Sequence, residues 1–393
     1  MEEVATSGRE VEELRAAVAR FLERTVIPAE PREGAHGIDE DLRRELQQAA
    51  RNAGVFAPHV PREFGGRAIN HRAQAVVFEE AGRSLLGPVA INAAAPDEGN
   101  ILLLDRVASD EQRERYLRPL ATGQVRSCFA MTEPAPGAGS DPAALRTTAR
   151  RAGSDWIIDG RKWYTTGAHG ATFAIVMART SPLEGRRGAT MFLVDTDTPG
   201  WELVRRVESL DVGFAGGHAE VDIAGCRVPA DAVLGEVDRG FDYAQVRLEP
   251  ARLTHCMRWL GLARRAQQIA IQHAAARELF GEQLASLGLA QQLLADSEID
   301  LEASRGLIHR AASLLDAEED ARQATSIAKV FVAEATYRVV DRAVQLCGSL
   351  GVSEDLPLGR YLREVRPFRI YDGPSETHRW AIARRAVRRA TRT

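Results

Sequence analysis

The hydrophobic pattern of this chain changes period twice, and these two changes constrain its fold more than any other feature. In the first third, apolar residues recur at helical spacing, as Val11, Leu14 and Val18 do. In the middle third they gather in short β-branched or aromatic runs such as DWIIDG, TFAIVMA and ATMFLVD, separated by Gly, Pro and Asp. From about Gly240 onward, long amphipathic segments return.

These changes predict an α+β chain of three domains. We expect an N-terminal helical domain over residues 1–124, a middle β-domain over 125–237 and a C-terminal four-helix bundle over 238–393. Because no helix-length segment separates the middle runs, we expect that domain to be antiparallel throughout.

Local signals predict individual helix ends and surfaces. Ser109 followed by Gln112 is typical of a capping box at a helix start, and Gly54 is typical of a helix end. The adjacent carboxylates Glu79 and Glu80 fall in a helical stretch. Because neighbouring helix positions do not share a face, we expect them on a solvated surface.

Composition argues against several classes of protein. The 393 residues have a formal net charge of -4, so no global basic field points to nucleic acid. No run of about 18 apolar residues predicts a membrane span, and the acidic N-terminus lacks the apolar segment of a signal peptide. The scattered cysteines form no Cys-x-x-Cys pair, which predicts reduced thiols and a cytoplasmic protein. They are Cys128, Cys226, Cys256 and Cys347.

Several familiar catalytic motifs are absent from the sequence. It contains no G-x-G-x-x-G, no Walker A, no H-E-x-x-H and no G-x-S-x-G pattern. His255 and Cys256 are neighbours, but packing explains them better than a metal ion, and we expect no metal site. The residues alone therefore indicate neither a cofactor nor a nucleophile.

Three stretches still stand out. In CFAMTEPAPGAGSD, Gly137 and Gly139 would let the backbone approach a ligand, although a flexible turn is the plainer interpretation. DGRKWYTTG either faces a ligand or packs Trp163 into a core. RIYDGPSETHR places Asp372 in Asp-Gly-Pro, which is strong turn chemistry, so a purely structural role stays open on local grounds.

In this order and at this spacing, the three stretches resemble the acyl-CoA dehydrogenase family, most of all the branch of the animal members ten and eleven and their bacterial relatives. PREFGG, ARELFG, LAD and QLCGSLG match further pieces, and the resemblance runs from about Val11 to Arg385. It implies the same three-domain fold with FAD as cofactor and an acyl-CoA thioester as substrate. It also implies an electron-transfer flavoprotein as electron acceptor and a homodimer or homotetramer.

The resemblance implies a first set of residues near the flavin. Thr132 corresponds to a residue that hydrogen-bonds the flavin edge, and Trp163 and Thr165 to residues that cover the ring and its phosphate neighbourhood. Ser140 corresponds to a contact with the FAD pyrophosphate or with the phosphate-rich tail of the thioester.

A second set is implied to reach the FAD of a neighbouring subunit. Arg277 is expected at the pyrophosphate, because a planar guanidinium suits phosphate, with Phe280 packed beside it. Gln345 and Gly348 are expected at the adenosine half.

The last motif corresponds to the family's catalytic segment. Its usual Glu removes the proton α to the thioester carbonyl while hydride leaves the β-carbon for flavin N5, and Asp372 takes that place here. Arg252 matches an arginine lining the substrate channel, and Gly373 a further substrate contact. Some members carry the base just before that arginine, but this chain has Ala251 there and Glu249 points differently. The resemblance therefore implies Asp372 as the base.

The chain also departs from the family pattern. The loop after MTEP is two residues longer, a usual Gln is replaced by Gly288, and Pro374 replaces a Thr and so removes an amide donor. Pro374 and Glu376 remain among the implied cofactor contacts, and we still expect FAD to bind.

Three alternatives remain open at this point. Nitroalkane oxidases share the fold and use an Asp base, so an oxidase is one alternative, and a carrier-protein thioester as substrate is another. The third is a DNA-binding flavoprotein, suggested by a C-terminal arginine cluster that a solvated final helix explains better. The cluster comprises Arg384, Arg385, Arg388, Arg389 and Arg392.

Overall fold

The computed structural model describes residues 7–182 and 188–391, and helices, strands and helices follow one another in the predicted order. The first helices are α1 (Gly8–Phe21), α2 (Ile27–Ala29), α3 (Glu40–Asn52), α4 (His71–Ala81), α5 (Gly87–Ala90), α6 (Asp97–Val107), α7 (Asp110–Gln112) and α8 (Arg118–Ala121). The strands that follow are β1 (Ser127–Ala130), β2 (Thr148–Ala152), β3 (Asp155–Thr166), β4 (Phe173–Arg179), β5 (Ala189–Asp195), β6 (Trp201–Val207), β7 (His218–Val228) and β8 (Val233–Leu234). The last part contains α9 (Gly240–Ala276), a hairpin of β9 (Glu278–Leu279) and β10 (Glu282–Gln283), α10 (Gly288–Asp316), α11 (Arg322–Cys347), α12 (Ser349–Val352), α13 (Leu358–Val365) and α14 (Ser375–Ala390).

The predicted helix ends are confirmed. At the start of α7 the Ser109 hydroxyl accepts from the Gln112 amide at 3.3 Å, while the Gln112 side chain accepts from the Ser109 amide at 3.1 Å. This reciprocal pair satisfies two backbone donors that a helix start leaves open. Helix α3 ends at Asn52, and Gly54 follows with φ +69°.

The sheet is mixed, so the prediction of an antiparallel domain was wrong. Its strand order is β6-β7-β3-β2-β4-β5-β8, with β1 paired to β4. Strand β4 runs parallel to both β1 and β2, whereas the other pairs of this sheet are antiparallel. Parallel strands need a long crossover, which is usually a helix. Here the β2–β3 hairpin provides that crossover, so the lack of a helix was no sign of antiparallel pairing.

Both faces of the central strands are buried. On β4, Phe173, Ile175 and Met177 join a core with the N-terminal helices, whereas Ala174 and Val176 join a second core on the other face. This explains why TFAIVMA is a continuous apolar run with no alternation of polar residues.

Glu79 and Glu80 correct a second expectation, because both are buried and not on a solvated surface. Arg264 on α9 bridges them, with nitrogen–oxygen distances of 3.0 Å to Glu79 and 2.6 Å to Glu80. Arg305 on α10 also contacts Glu79, and Arg83 contacts Glu80. Because α4 lies between α1 and the C-terminal helices, two adjacent positions are covered from different sides.

The helical parts share one hydrophobic core. Leu14 on α1 and Phe78 on α4 belong to the same buried cluster as Met257 on α9 and Val332 on α11. Helices α9, α10 and α11 pack on one another, and α14 packs along α11. Within residues 7–182 and 188–391, none of the helices combines the length and apolarity needed to cross a bilayer.

Candidate active site

The turn that carries Asp372 has an unusual backbone conformation. Asp372 has φ +54° and Gly373 has φ +97°, just before α14 begins at Ser375. A left-handed conformation at a non-glycine residue costs about 1 kcal/mol, and Asp is among the residues that tolerate it best. The sequence prediction of a turn is therefore confirmed.

Side chains from three helices hold this turn through its carbonyl oxygens. Arg252 Nε on α9 donates to the Asp372 carbonyl at 2.9 Å, and His378 Nε2 on α14 lies 3.0 Å from the same oxygen. Lys329 Nζ on α11 donates to the Gly373 carbonyl at 2.6 Å. Because a carbonyl only accepts, His378 must carry its hydrogen on Nε2. These contacts use the carbonyl oxygens of the turn and do not involve the Asp372 carboxylate.

Burial sets the charge state of two of these side chains. It lowers the pKa of His378 to about 4, with the hydrogen bond to Asp372 opposing the shift, so the imidazole is neutral at neutral pH. Burial also lowers the pKa of Lys329 to about 8, and the charge of Asp372 is the largest opposing influence. Lys329 is thus mostly protonated at pH 7.

The Asp372 carboxylate is largely withdrawn from solvent and poorly paired. Its side chain is 18% exposed, and the buried Oδ2 has no hydrogen-bond partner within the described chain. His255 Nε2 lies 3.4 Å from Asp372 Oδ2. Since buried polar atoms are almost always hydrogen-bonded, an acceptor without a partner marks a candidate functional atom.

A cavity lies next to His255. Its volume is ≈ 50 Å³, and its lining includes Leu85, Phe214, His255, Arg258 and Trp259. His255 therefore faces both the cavity and Asp372. Apolar walls with a few convergent polar groups are typical of small-molecule sites.

Strand β3 contributes the residues expected beneath a flavin. The register of β3 against β7 shifts between Lys162 and Thr165, and Tyr164 at this bulge has φ +51°. The Trp163 Nε1 and Thr165 Oγ1 atoms are buried without hydrogen-bond partners in the described chain. A bulge commonly re-aims side chains next to a site, and two unpaired polar atoms fit a polar ring system bound here.

Aromatic rings connect this strand to the turn that carries Asp372. Ring centroids of Trp163 and Tyr164 are 5.4 Å apart, those of Tyr164 and His218 are 5.4 Å apart, and those of Phe214 and His218 are 5.5 Å apart. Phe214 lies 6.1 Å from Tyr371, the residue before Asp372. A series of ring contacts thus connects Trp163 on β3 with Tyr371, the residue before Asp372.

Glu133 is a residue whose role the sequence motifs did not reveal. Its carboxylate accepts from the backbone amides of Ala138, Arg146 and Thr147 at 2.8–3.1 Å and from Lys162 Nζ at 2.9 Å. It therefore closes the loop after MTEP and ties it to β3. The signal available in the sequence was the rarity of lysine, because Lys162 is one of only two lysines, with Lys329.

The other residues implied for the flavin edge lie in or beside this loop. Thr132 is exposed, and its carbonyl accepts from the Trp163 amide at 2.9 Å, which joins the two motifs. Ser140 is exposed further along the same loop. Pro374 precedes α14, and Glu376 is exposed in its first turn.

A second group of implied residues lies away from Asp372. Arg277 directly follows α9. It lies 25 residues after Arg252, which corresponds to about 37 Å along a helix. Phe280, in the hairpin after α9, is 96% exposed with φ +54°. Gln345 and Gly348, at the end of α11, are exposed as well. The structure therefore does not bring these residues to the turn of their own chain.

The remaining sequence expectations concern metals and nucleic acid. No group of metal-ligating side chains that could hold an ion occurs in the part of the chain that the structure describes. In the C-terminal arginine cluster, Arg385 donates to the Arg322 carbonyl at 2.9 Å and Arg384 lies over the Trp380 ring at 4.4 Å. Arg392 lies outside the described residues. Two of these cations thus have contacts within the protein.

Comparison with known proteins assigns the family. Models of the N-terminal, middle and C-terminal domains of acyl-CoA dehydrogenases match residues 8–124, 128–223 and 238–387. The chain is 39% identical to Mycobacterium tuberculosis FadE2, named a probable acyl-CoA dehydrogenase, over 89% of this chain and 86% of that protein. It is 34% identical to human acyl-CoA dehydrogenase family member 11, covering 97% of this chain but only 50% of the human protein.

Solved structures agree with this assignment. A Mycobacterium abscessus structure that carries the acyl-CoA dehydrogenase name superposes with a TM-score of 0.91 at 35% identity, covering 98% of this chain and all of that one (100%). A glutaryl-CoA dehydrogenase from Mycobacterium smegmatis, solved with FADH2, superposes with a TM-score of 0.85 at 26% identity, covering 97% and 95%. The fold and site thus define a flavin-dependent oxidoreductase. The chain belongs to the acyl-CoA dehydrogenase family, and its cofactor is FAD.

Proposed function

We propose that this protein catalyses the α,β-dehydrogenation of an acyl thioester, with Asp372 as the base that removes the α-proton. The observation that carries the proposal is the buried Asp372 Oδ2, which has no hydrogen-bond partner among the described residues. It lies 3.4 Å from Nε2 of His255, a residue that lines the cavity. FAD, when bound, supplies the chemistry that accepts two electrons from the substrate's β-carbon.

The residues of this chain would divide the remaining tasks. Arg252, His378 and Lys329 hold the backbone of the turn, so the Asp372 carboxylate meets the substrate from a fixed point. The Asp372 amide would donate to the thioester oxygen and stabilise charge that develops there. Trp163 and Thr165 would contact the flavin, and the apolar residues around His255 would help to exclude water.

An anaerobic titration tests this proposal. The purified FAD-loaded protein is mixed with a panel of acyl-CoA thioesters of different chain lengths, and loss of the flavin absorbance is followed. We expect at least one of them to bleach the flavin, and Asp372→Asn to abolish bleaching while FAD stays bound. Glu249→Gln is the matched control, because Glu249 is the nearby α9 carboxylate that the resemblance leaves without a role, and it should bleach like wild type.

The same assay decides among the alternatives. If carrier-protein thioesters bleach the flavin faster than CoA thioesters do, the enzyme acts on substrates bound to a carrier protein. Rapid oxygen consumption with nitroalkanes, and no bleaching by any thioester, would support an oxidase and contradict the proposal. For the dehydrogenase, reoxidation by an electron-transfer flavoprotein, and slow reoxidation by oxygen, are the expected results.

We also propose that the protein works in fatty-acid metabolism as a homodimer or homotetramer whose subunits share FAD sites. Arg277, Phe280, Gln345 and Gly348 support this, because they are exposed and lie far along their helices from the turn of their own chain. Phe280 is 96% exposed in the single chain, and a neighbouring subunit would bury it.

A further inference from the structure

We infer that His255 is a positioning residue for the base: its ring holds the Asp372 carboxylate in the orientation that proton abstraction requires. This inference rests on the proposed function, because it gives the proposed base a partner.

The first argument is geometric. His255 Nε2 lies 3.4 Å from Asp372 Oδ2, and the His255 side chain is only 7% exposed. Its ring packs against Tyr371, Phe368 and Phe214, with centroid distances of 5.1, 5.8 and 6.3 Å. These three rings restrict the movement of the imidazole, which keeps Nε2 near the carboxylate.

The second argument concerns hydrogen bonding. A carboxylate only accepts, so this contact requires the hydrogen of His255 on Nε2. A separation of 3.4 Å is longer than a normal hydrogen bond. Contacts to catalytic groups are often long in a substrate-free protein and shorten when the substrate binds.

The third argument concerns charge. Burial lowers the pKa of His255 well below its ordinary value, and the positive charges of Arg258, Arg247 and Lys329 act in the same direction. The ring is therefore neutral at neutral pH. A neutral donor orients the carboxylate without adding to the positive charge of Lys329, whereas a further positive charge would stabilise the anion and weaken it as a base.

The fourth argument explains why this chain needs such a residue. Asp is one methylene shorter than the Glu usual in the family, so its carboxylate has less reach toward a substrate. The contacts of Arg252, His378 and Lys329 fix the backbone oxygens of the turn but not the side-chain torsions of Asp372. His255 is the side chain placed to set those torsions.

Two substitutions and a matched control test the inference by kinetics. His255→Phe keeps a packed ring but removes both nitrogens, and His255→Gln restores a donor. His59→Phe is the control, because His59 is also an internal histidine. Neither of its ring nitrogens has a hydrogen-bond partner within residues 7–182 and 188–391, and its ring is edge-on to Phe78 at 5.6 Å. We expect the anaerobic bleaching rate constant at saturating acyl-CoA to fall about 100-fold in His255→Phe. The dissociation constant for acyl-CoA should stay near the wild-type value, and His255→Gln should recover part of the rate.

A spectroscopic measurement tests the contact without relying on activity. In FAD-loaded protein with ¹⁵N-labelled histidine, the His255 resonances are assigned by their loss in His255→Phe. Asp372→Asn should shift the His255 Nε2 resonance and leave the resonances of His59 unchanged.

The two measurements separate the inference from the proposed function. If no thioester bleaches the wild-type flavin, the proposed function is wrong, while the resonance shift still decides whether His255 and Asp372 are coupled. A resonance of His255 that ignores Asp372→Asn, or a bleaching rate in His255→Phe equal to that in His59→Phe, would overturn the inference. A weaker acyl-CoA affinity with an unchanged rate would also overturn it, because that result indicates a packing role.

Discussion

Glu133, in the loop after β1, and Lys162, on β3, form a buried ion pair, with both side chains at most 3% exposed. Burial alone would raise the pKa of Glu133, but the charge of Lys162 and the hydrogen bonds from Thr147 outweigh it and lower that pKa to about 2. Burial lowers the pKa of Lys162 to about 8 against the opposing charge of Glu133. The carboxylate is thus the better-stabilised partner, and the lysine supplies its counter-charge.

At this residue scale, we predict that Lys162→Met lowers the free energy of unfolding by about 3 kcal/mol, because it leaves a buried carboxylate without a counter-charge. The double variant Glu133→Gln/Lys162→Met should recover much of the loss. Urea denaturation measures both. The control is Arg9→Met, which breaks the exposed pair of Arg9 and Glu13 and should cost less than about 1 kcal/mol. Equal losses for Lys162→Met and Arg9→Met would contradict the prediction.

Among structural elements, helix α13 holds the segment between β6 and β7 that carries Phe214. Glu364 on α13 accepts from the backbone amides of Val212 and Gly213 at 2.9 and 3.1 Å. Burial raises the pKa of Glu364 to about 7, and these hydrogen bonds and Arg360 oppose the shift. The folded protein therefore binds a proton at Glu364 more readily than the unfolded chain does between its ordinary pKa of 4.5 and about 7.

We predict that this group makes wild-type stability fall as the pH rises through that window, by no more than about 3 kcal/mol. Its stabilising contribution is complete below pH 4.5 and lost near pH 7. In Glu364→Gln the free energy of unfolding should depend less steeply on pH between about 4.5 and 7. Urea denaturation at several pH values provides the slopes, and parallel slopes for the two proteins would show that Glu364 does not titrate as stated.

The limits of sequence analysis are clearest at the level of elements. The period of the hydrophobic pattern was enough to predict the order of helices and strands. Local chemistry alone predicted the cap formed by Ser109 and Gln112. Parallel pairing of β4 and burial of Glu79 and Glu80 did not follow, because both depend on what lies across the fold. The contact between His255 and Asp372 could not be predicted either, because the two residues are 117 positions apart in the chain.

Across the whole molecule, the two groups of expected FAD contacts lie in different places. A series of ring contacts connects Trp163 with Tyr371 beside Asp372, whereas Arg277 directly follows α9, about 37 Å along the helix from Arg252. An assembly in which the end of α9 reaches a neighbouring subunit reconciles the two groups.

We therefore predict that Arg277→Ala weakens FAD binding roughly 10- to 100-fold, which is the loss of one charge-assisted hydrogen bond to phosphate. Arg310→Ala is the control, because Arg310 is an exposed arginine on α10. Fluorescence of FAD released on dilution measures affinity, and mass photometry measures subunit number. A monomer that holds FAD equally well in both variants would contradict the shared-site proposal.

The most direct test of the central claim uses an acyl-CoA that bleaches the wild-type flavin, prepared with hydrogen or deuterium at the α-carbon. Anaerobic stopped-flow mixing should show slower bleaching of wild type with the deuterated substrate, at least about 100-fold slower bleaching in Asp372→Asn with FAD retained, and partial recovery in Asp372→Glu. Wild-type bleaching by Asp372→Asn, with the same isotope effect, would show that another group removes the α-proton.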